Sequence, residues 1–128
     1  MGIFDRFKSQ RDIAKEEIKE VPWHMLTEVS QLDDIVALSK QKHVGIFKHS
    51  TRCGISKMVL RGFERDYDFT EDDAQIFMLD LLNHRDISNE IAARFQVFHE
   101  SPQFIVLKDG NVLNFESHQG IKAGQLEN

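Results

Sequence analysis

One cysteine, Cys53, stands in the segment Lys48-His49-Ser50-Thr51-Arg52-Cys53-Gly54-Ile55-Ser56. A lone thiol forms no disulfide within its own chain and builds no cysteine-rich zinc site, so any thiol chemistry here uses one sulfur per chain. Lys48, His49, Arg52 and Lys57 place four potential cations within five residues of that sulfur. An apolar run of strand length (43–48) precedes the segment and helical spacing follows it, which puts Cys53 at or beside a helix N-cap. The unpaired N–H groups and partial positive charge of a first helical turn favour thiolate over thiol. Lowering a thiol's pKa speeds its attack only modestly, because nucleophilicity falls at the same time; the larger gain comes when that sulfur is the leaving group. Such a site suits a group that takes up a thiol adduct and gives it away again. Isolated cysteines usually pack as small hydrophobes, but the strand end and the polar run His-Ser-Thr-Arg favour the reactive reading.

Cys53-Gly54-Ile55-Ser56 is a Cys-x-x-Cys redox loop with serine in the second place. Ser56 cannot resolve a mixed disulfide. Its hydroxyl either donates to the Cys53 thiolate across one helical turn or is an ordinary first-turn serine. Thr51, Arg52 and Gly54 complete the loop as candidates for stabilising the thiolate or touching substrate. Ser101-Pro102 stands before the last strands, where a cis X-Pro peptide would leave Ser101 backbone groups open to an extended substrate strand. His49 and His99 are candidates to approach and tune Cys53. The six histidines show no HExxH spacing or other metal signature, so no metal ligands are assigned. The glycines form neither a dinucleotide nor a phosphate-loop pattern.

The elements that must hold these residues read from the periods. Strand-like segments fall at 24–27, 43–48 and 75–81. Helices are expected over 30–41, with Ser30 or Asp33 as cap, then along a face made by Ile55, Met58, Val59 and Phe63, and then through Ile87, Ile91, Ala92 and Phe95. Two strands flank Lys108-Asp109-Gly110-Asn111, a hairpin signal because the tight turn needs positive φ. Residues 117–126 are expected to close the chain as an amphipathic helix. The resulting order, βαβα, βα, ββα, is an α/β arrangement: a thioredoxin-like mixed sheet with a C-terminal antiparallel hairpin and flanking helices. Two regions follow, a charged N-terminal extension at 1–20 and the thioredoxin-like domain at 21–128. In the extension, Ile3, Phe4 and Phe7 sit at helical spacing, and Phe4 and Phe7 are expected to dock on the body.

Composition limits the function. The 128 residues carry 21 acidic and 16 basic side chains, a net charge of -5, which disfavours nucleic-acid binding through a broad basic surface. No strictly apolar run exceeds four residues, so neither a membrane-spanning helix nor a signal-peptide core is expected, and the cytoplasm is the default setting.

Three segments together carry a family resemblance: 48–56 as quoted, Arg85-Asp86-Ile87-Ser88-Asn89, and His99-Glu100-Ser101-Pro102-Gln103. In this order they resemble the YtxJ-type monothiol bacilliredoxins, from about Trp23 to about Ile121. The resemblance implies a thioredoxin-like bacterial cytosolic protein that removes bacillithiol, a low-molecular-weight thiol, from mixed disulfides on client proteins. It implies no tightly bound cofactor, bacillithiol as co-substrate, and thiol-modified proteins as partners. By position, Cys53 resembles the attacking cysteine, Ser56 the serine at the resolving position and Pro102 the cis-proline. Gly54 departs from the proline that often follows the cysteine in that family. It is similar instead to the Cys-Gly-Phe-Ser loop of monothiol glutaredoxins, which hold an iron–sulfur cluster with glutathione. Two alternatives therefore accompany the first reading: a cluster carrier in which two chains each give Cys53, and a non-catalytic stress or adaptor domain.

Overall fold

The computed structural model describes residues 20–127; residues 1–19 of the N-terminal extension, with the expected docking of Phe4 and Phe7, lie outside them. Five strands and three helices follow in the order β1 (Trp23–Met25), α1 (Gln31–Leu38), β2 (His43–His49), α2 (Gly54–Asp66), β3 (Ala74–Asp80), α3 (Arg85–Phe95), β4 (Gln103–Lys108) and β5 (Asn111–Ser117). The sheet order is β1-β3-β2-β4-β5. β1 and β2 both run parallel to β3, while β4 runs antiparallel to β2 and to β5. This is the expected mixed sheet with its terminal hairpin.

β2 is central and almost wholly buried, as a strand with helices on both faces must be. Its side chains alternate. Phe47 points to the α2 side and packs with Val59, Phe63 and Phe104, the Phe63 and Phe104 rings lying 4.7 Å apart. Ile46 points to the other side, against Leu32 and Ile35 of α1 and Ile87 and Ile91 of α3. Gly45 lies on the Phe47 side, where any side-chain carbon would run into the Phe104 ring.

Several expectations are corrected. α1 is shorter than 30–41. Lys40 N–H and Gln41 N–H bond to carbonyls three residues back, so its last turn tightens and stops. Its start uses no side-chain cap from Ser30; the Gln31 side chain accepts from the Thr27 and Glu28 N–H groups instead. The C-terminal segment is not one amphipathic helix but two 3-10 turns, His118–Gly120 and Ala123–Glu127. Ile121, Ala123 and Leu126 still bury themselves against the α2-side core, which irregular backbone achieves as well as a helix would. The hairpin turn forms as read, with Asp109 at φ 53° and Gly110 at φ 78°. Ser39 fastens it to the end of α1, its carbonyl accepting from Asp109 N–H at 2.7 Å and its hydroxyl from Gly110 N–H at 2.8 Å.

Candidate functional site

The chain leaves β2 at His49, turns through 50–52 and enters α2 at Gly54. Cys53 is the N-cap residue, with extended backbone at φ -100° and ψ 120°. Its N–H donates to the Ser50 carbonyl at 3.2 Å, and its own carbonyl accepts the first helical bond from Lys57 N–H at 3.1 Å. The side chain is half-buried, not sunk in the core. The first turn of α2 contains no acidic residue, so nothing there offsets the partial positive charge that the helix start presents to a thiolate. Thr51, Arg52 and Gly54 are all exposed around the sulfur. A carbon placed on Gly54 would meet nothing within 4 Å.

Ser56 serves the loop rather than the sulfur. It is fully buried. Its hydroxyl oxygen accepts from Ser50 N–H at 3.2 Å and lies 2.7 Å from His49 Nδ1. Of the two readings of Ser56, the contact with the Cys53 thiolate is not formed; the hydroxyl meets these two groups instead. They tie the end of β2 to the first turn of α2 and so fix the turn that carries Cys53. His49 is buried too, and burial holds its pKa below the ordinary histidine value; Asp80 and Glu64 pull upward against this, and Lys57 adds to the lowering. The Ser56→Ala substitution is expected to cost about 1–2 kcal/mol, since it leaves His49 Nδ1 and Ser50 N–H without their partner. Urea unfolding of the two proteins measures this.

Two of the expected neighbours turn away from the sulfur. Lys48 shares its side of β2 with Ile46, not with Phe47, so it points to the α3 face. There its ammonium lies 3.3 Å from His99 Nδ1, and Ser88 Oγ of α3 lies 3.2 Å from the same nitrogen. Burial lowers Lys48 to about 8. His99 is lowered as well, by burial first and then by the charges of Lys48 and Arg85. Strand parity keeps Lys48 from Cys53, since adjacent residues of a strand face opposite sides of its sheet, and His99, a candidate to approach Cys53, instead meets Lys48 and Ser88 on the α3 side.

Ser101-Pro102 is a cis peptide. Lys48 pairs with Gln103 across β2 and β4, so this peptide stands at the same end of the sheet as the Cys53 turn. Ser101 Oγ is buried with no hydrogen-bond partner among the described residues. The His49–Ser56 pair is not among the sequence expectations, although a histidine at a strand end, seven residues before a helical serine, is the available signal. The α2 face expected from Ile55, Met58, Val59 and Phe63 holds for Val59 and Phe63 only. Ser56, Val59 and Phe63 are the buried residues, whereas Ile55 and Met58 are 45% and 60% exposed. Among the described residues no group of three metal-ligating side chains comes together, and no helix is long and apolar enough to cross a membrane.

A family model described as monothiol bacilliredoxin BrxC matches residues 24–126. Among solved structures, a protein described as a candidate oxidoreductase with a thioredoxin fold is similar at 27% identity, with TM-score 0.70, over 83% of this chain and 91% of that one. Thioredoxin from Malassezia sympodialis matches at 21% identity and TM-score 0.61, covering 84% of this chain and 90% of its own. Thioredoxin from Fasciola hepatica matches at 16% identity and TM-score 0.60, covering 81% and 92%. These last two likenesses concern the fold alone.

Proposed function

This chain belongs to the monothiol bacilliredoxin family, which gives it a role in thiol redox chemistry, and from that premise we propose that it removes bacillithiol from mixed disulfides on client proteins. The observation that carries the reading is the half-buried Cys53 at the N-cap of α2, with a serine where a second thiol would resolve the adduct.

The exchange runs in two balanced steps. The Cys53 thiolate attacks the small-thiol sulfur of the client mixed disulfide; a new disulfide forms between Cys53 and the small thiol, and the client sulfur leaves as a thiolate that takes a proton. A second small-thiol molecule, as thiolate, then attacks the adduct, forms the small-thiol disulfide and releases Cys53. The helix start favours Cys53 as the departing sulfur in this second step. Arg52, with Thr51 and Gly54, forms the exposed rim that meets the adduct, and the Ser101 backbone beside Pro102 pairs with the client chain. No tightly bound cofactor is required, and a reducing cytoplasm supplies the thiol.

Release of a free client thiol tests this, with bacillithiol and glutathione adducts of one client compared side by side. The bacillithiol adduct is expected to be removed faster, and Cys53→Ala to release no more than the uncatalysed background. Equal release by Cys53→Ala, or none by the wild type, would contradict the proposal. Visible charge-transfer bands after anaerobic reconstitution with iron and sulfide would favour the cluster-carrying alternative instead, and a client adduct left untouched would favour the adaptor.

A further inference from the structure

Apart from Gly54 at its end beside Cys53, the outer face of α2 has a surface that the exchange steps do not use. At helical i, i+4, i+8 spacing, Gly54, Met58 and Gly62 form one row and Lys57, Arg61 and Arg65 the next, and together they line a shallow groove of about 420 Å³ that begins beside Cys53. Packing does not demand either glycine. A carbon on Gly54 meets nothing, and one on Gly62 meets only the Arg65 guanidinium at 3.8 Å, an ordinary contact. Gly62, inside the helix, weakens it relative to alanine, and what the two glycines supply is depth on each side of the exposed Met58.

The wall of the groove is charged and neutralised only at its Arg65 end. Among the described residues no carboxylate pairs with Lys57 or Arg61, and Arg65 has only its neighbour Asp66 at 3.8 Å. The carboxylate of Glu64 is engaged by the Trp23 indole N–H at 2.8 Å. On a chain of net charge -5, this row reverses the sign of the surface next to the reactive sulfur.

We propose that the groove docks an acidic, extended segment of the client polypeptide while its modified cysteine reacts with Cys53. The proposal rests on the exchange reading above and adds the chemistry of the client. Charge complementarity selects an anion. Length selects a polypeptide: Lys57 to Arg65 spans about 12 Å along the helix, in steps of about 6 Å, close to the roughly 6.7 Å between same-side residues of an extended strand. Alternate carboxylates on one strand meet successive cations, whereas a single small anion meets one.

Two labelled peptides test it, each with one cysteine bearing the same small-thiol adduct, with glutamate at alternate flanking positions in one and glutamine in the other. At low salt the wild type is expected to take the adduct from the glutamate peptide about ten-fold faster. The ratio should fall toward one at about 0.5 M salt, where screening is strong, and in the Arg61→Gln, Arg65→Gln double variant. Equal wild-type rates, or a ratio untouched by the double variant, would overturn the proposal. So would a preference that disappears when both peptides carry an uncharged 2-mercaptoethanol adduct, since the groove would then serve the small thiol. Anisotropy of the unmodified peptides on Cys53→Ser reads docking separately. Preferential binding of the glutamate peptide with no transfer would sink the exchange reading alone; absence of that preference would sink the docking surface alone.

Discussion

The Ser56→Cys substitution is expected to shorten the life of an adduct on Cys53 by at least about 100-fold, because a tethered thiol competes with the dilute external one at an effective concentration far above millimolar. Residue 56 lies in the first turn of α2, three residues after the N-cap sulfur, which is the spacing of Cys-x-x-Cys redox loops. The new thiolate attacks Cys53 Sγ, the bond from Cys53 to the small thiol breaks, and the small thiol leaves as its thiolate and is protonated. The first step, uptake from the client, needs only Cys53 and should survive. The variant loses the hydroxyl that joins His49 and Ser50, so a modest fall in stability accompanies the kinetic change. Quenched-flow mass spectrometry follows the adduct with time. Persistence as long as in the wild type would mean that residue 56 cannot reach the sulfur and that the α2 start is arranged differently.

Lys48→Met is expected to stabilise the fold by about 2 kcal/mol at pH 7. Lys48 is fully buried, and no carboxylate pairs with it among the described residues. Burial lowers its pKa from 10.5 to about 8, so at pH 7 the fold holds an ammonium ion that water would solvate better. That drop corresponds to about 3 kcal/mol, and the His99 hydrogen bond offsets roughly 1 kcal/mol of it. Methionine matches the aliphatic stem and removes the charge, and Ser88 still partners His99 Nδ1. The pH dependence has a definite sign. Between the folded value near 8 and the unfolded value of 10.5, the unfolded chain binds more protons, so wild-type stability rises with pH. The advantage of the variant should therefore narrow across that window. Urea unfolding at pH 7 and at about pH 9.5 checks both statements; a destabilised variant at pH 7 would show that the ammonium is a net support of the fold.

How far the sequence led depends on whether a feature is local. The Asp109-Gly110 turn was legible because positive φ is a property of those residues themselves. The strand-to-helix junction at Cys53 was legible because the period changes there. Pairings across space were not. Lys48 and His99 are near Cys53 or Pro102 along the chain, yet alternation along β2 sends Lys48 to the opposite side from His49. Ile55 and Met58 look like core by type, but α2 rotates them outward because Ser56, Val59 and Phe63 occupy the inner face. The polar Ser56 displaces an apolar expectation there only because His49 waits to receive it. The closing 3-10 turns were illegible for a related reason: burial of Ile121, Ala123 and Leu126 fixes where the side chains go, not which backbone carries them.

Substituting residues around the sulfur probes the support; the sulfur itself is probed by weighing the protein. After a single turnover with excess bacillithiol-modified client, rapid acid quenching and intact-mass analysis should show one small-thiol adduct per chain, mapped by peptide fragmentation to Cys53. An unmodified mass while the client is nevertheless freed, or an equal gain of mass by Cys53→Ala, would contradict the account.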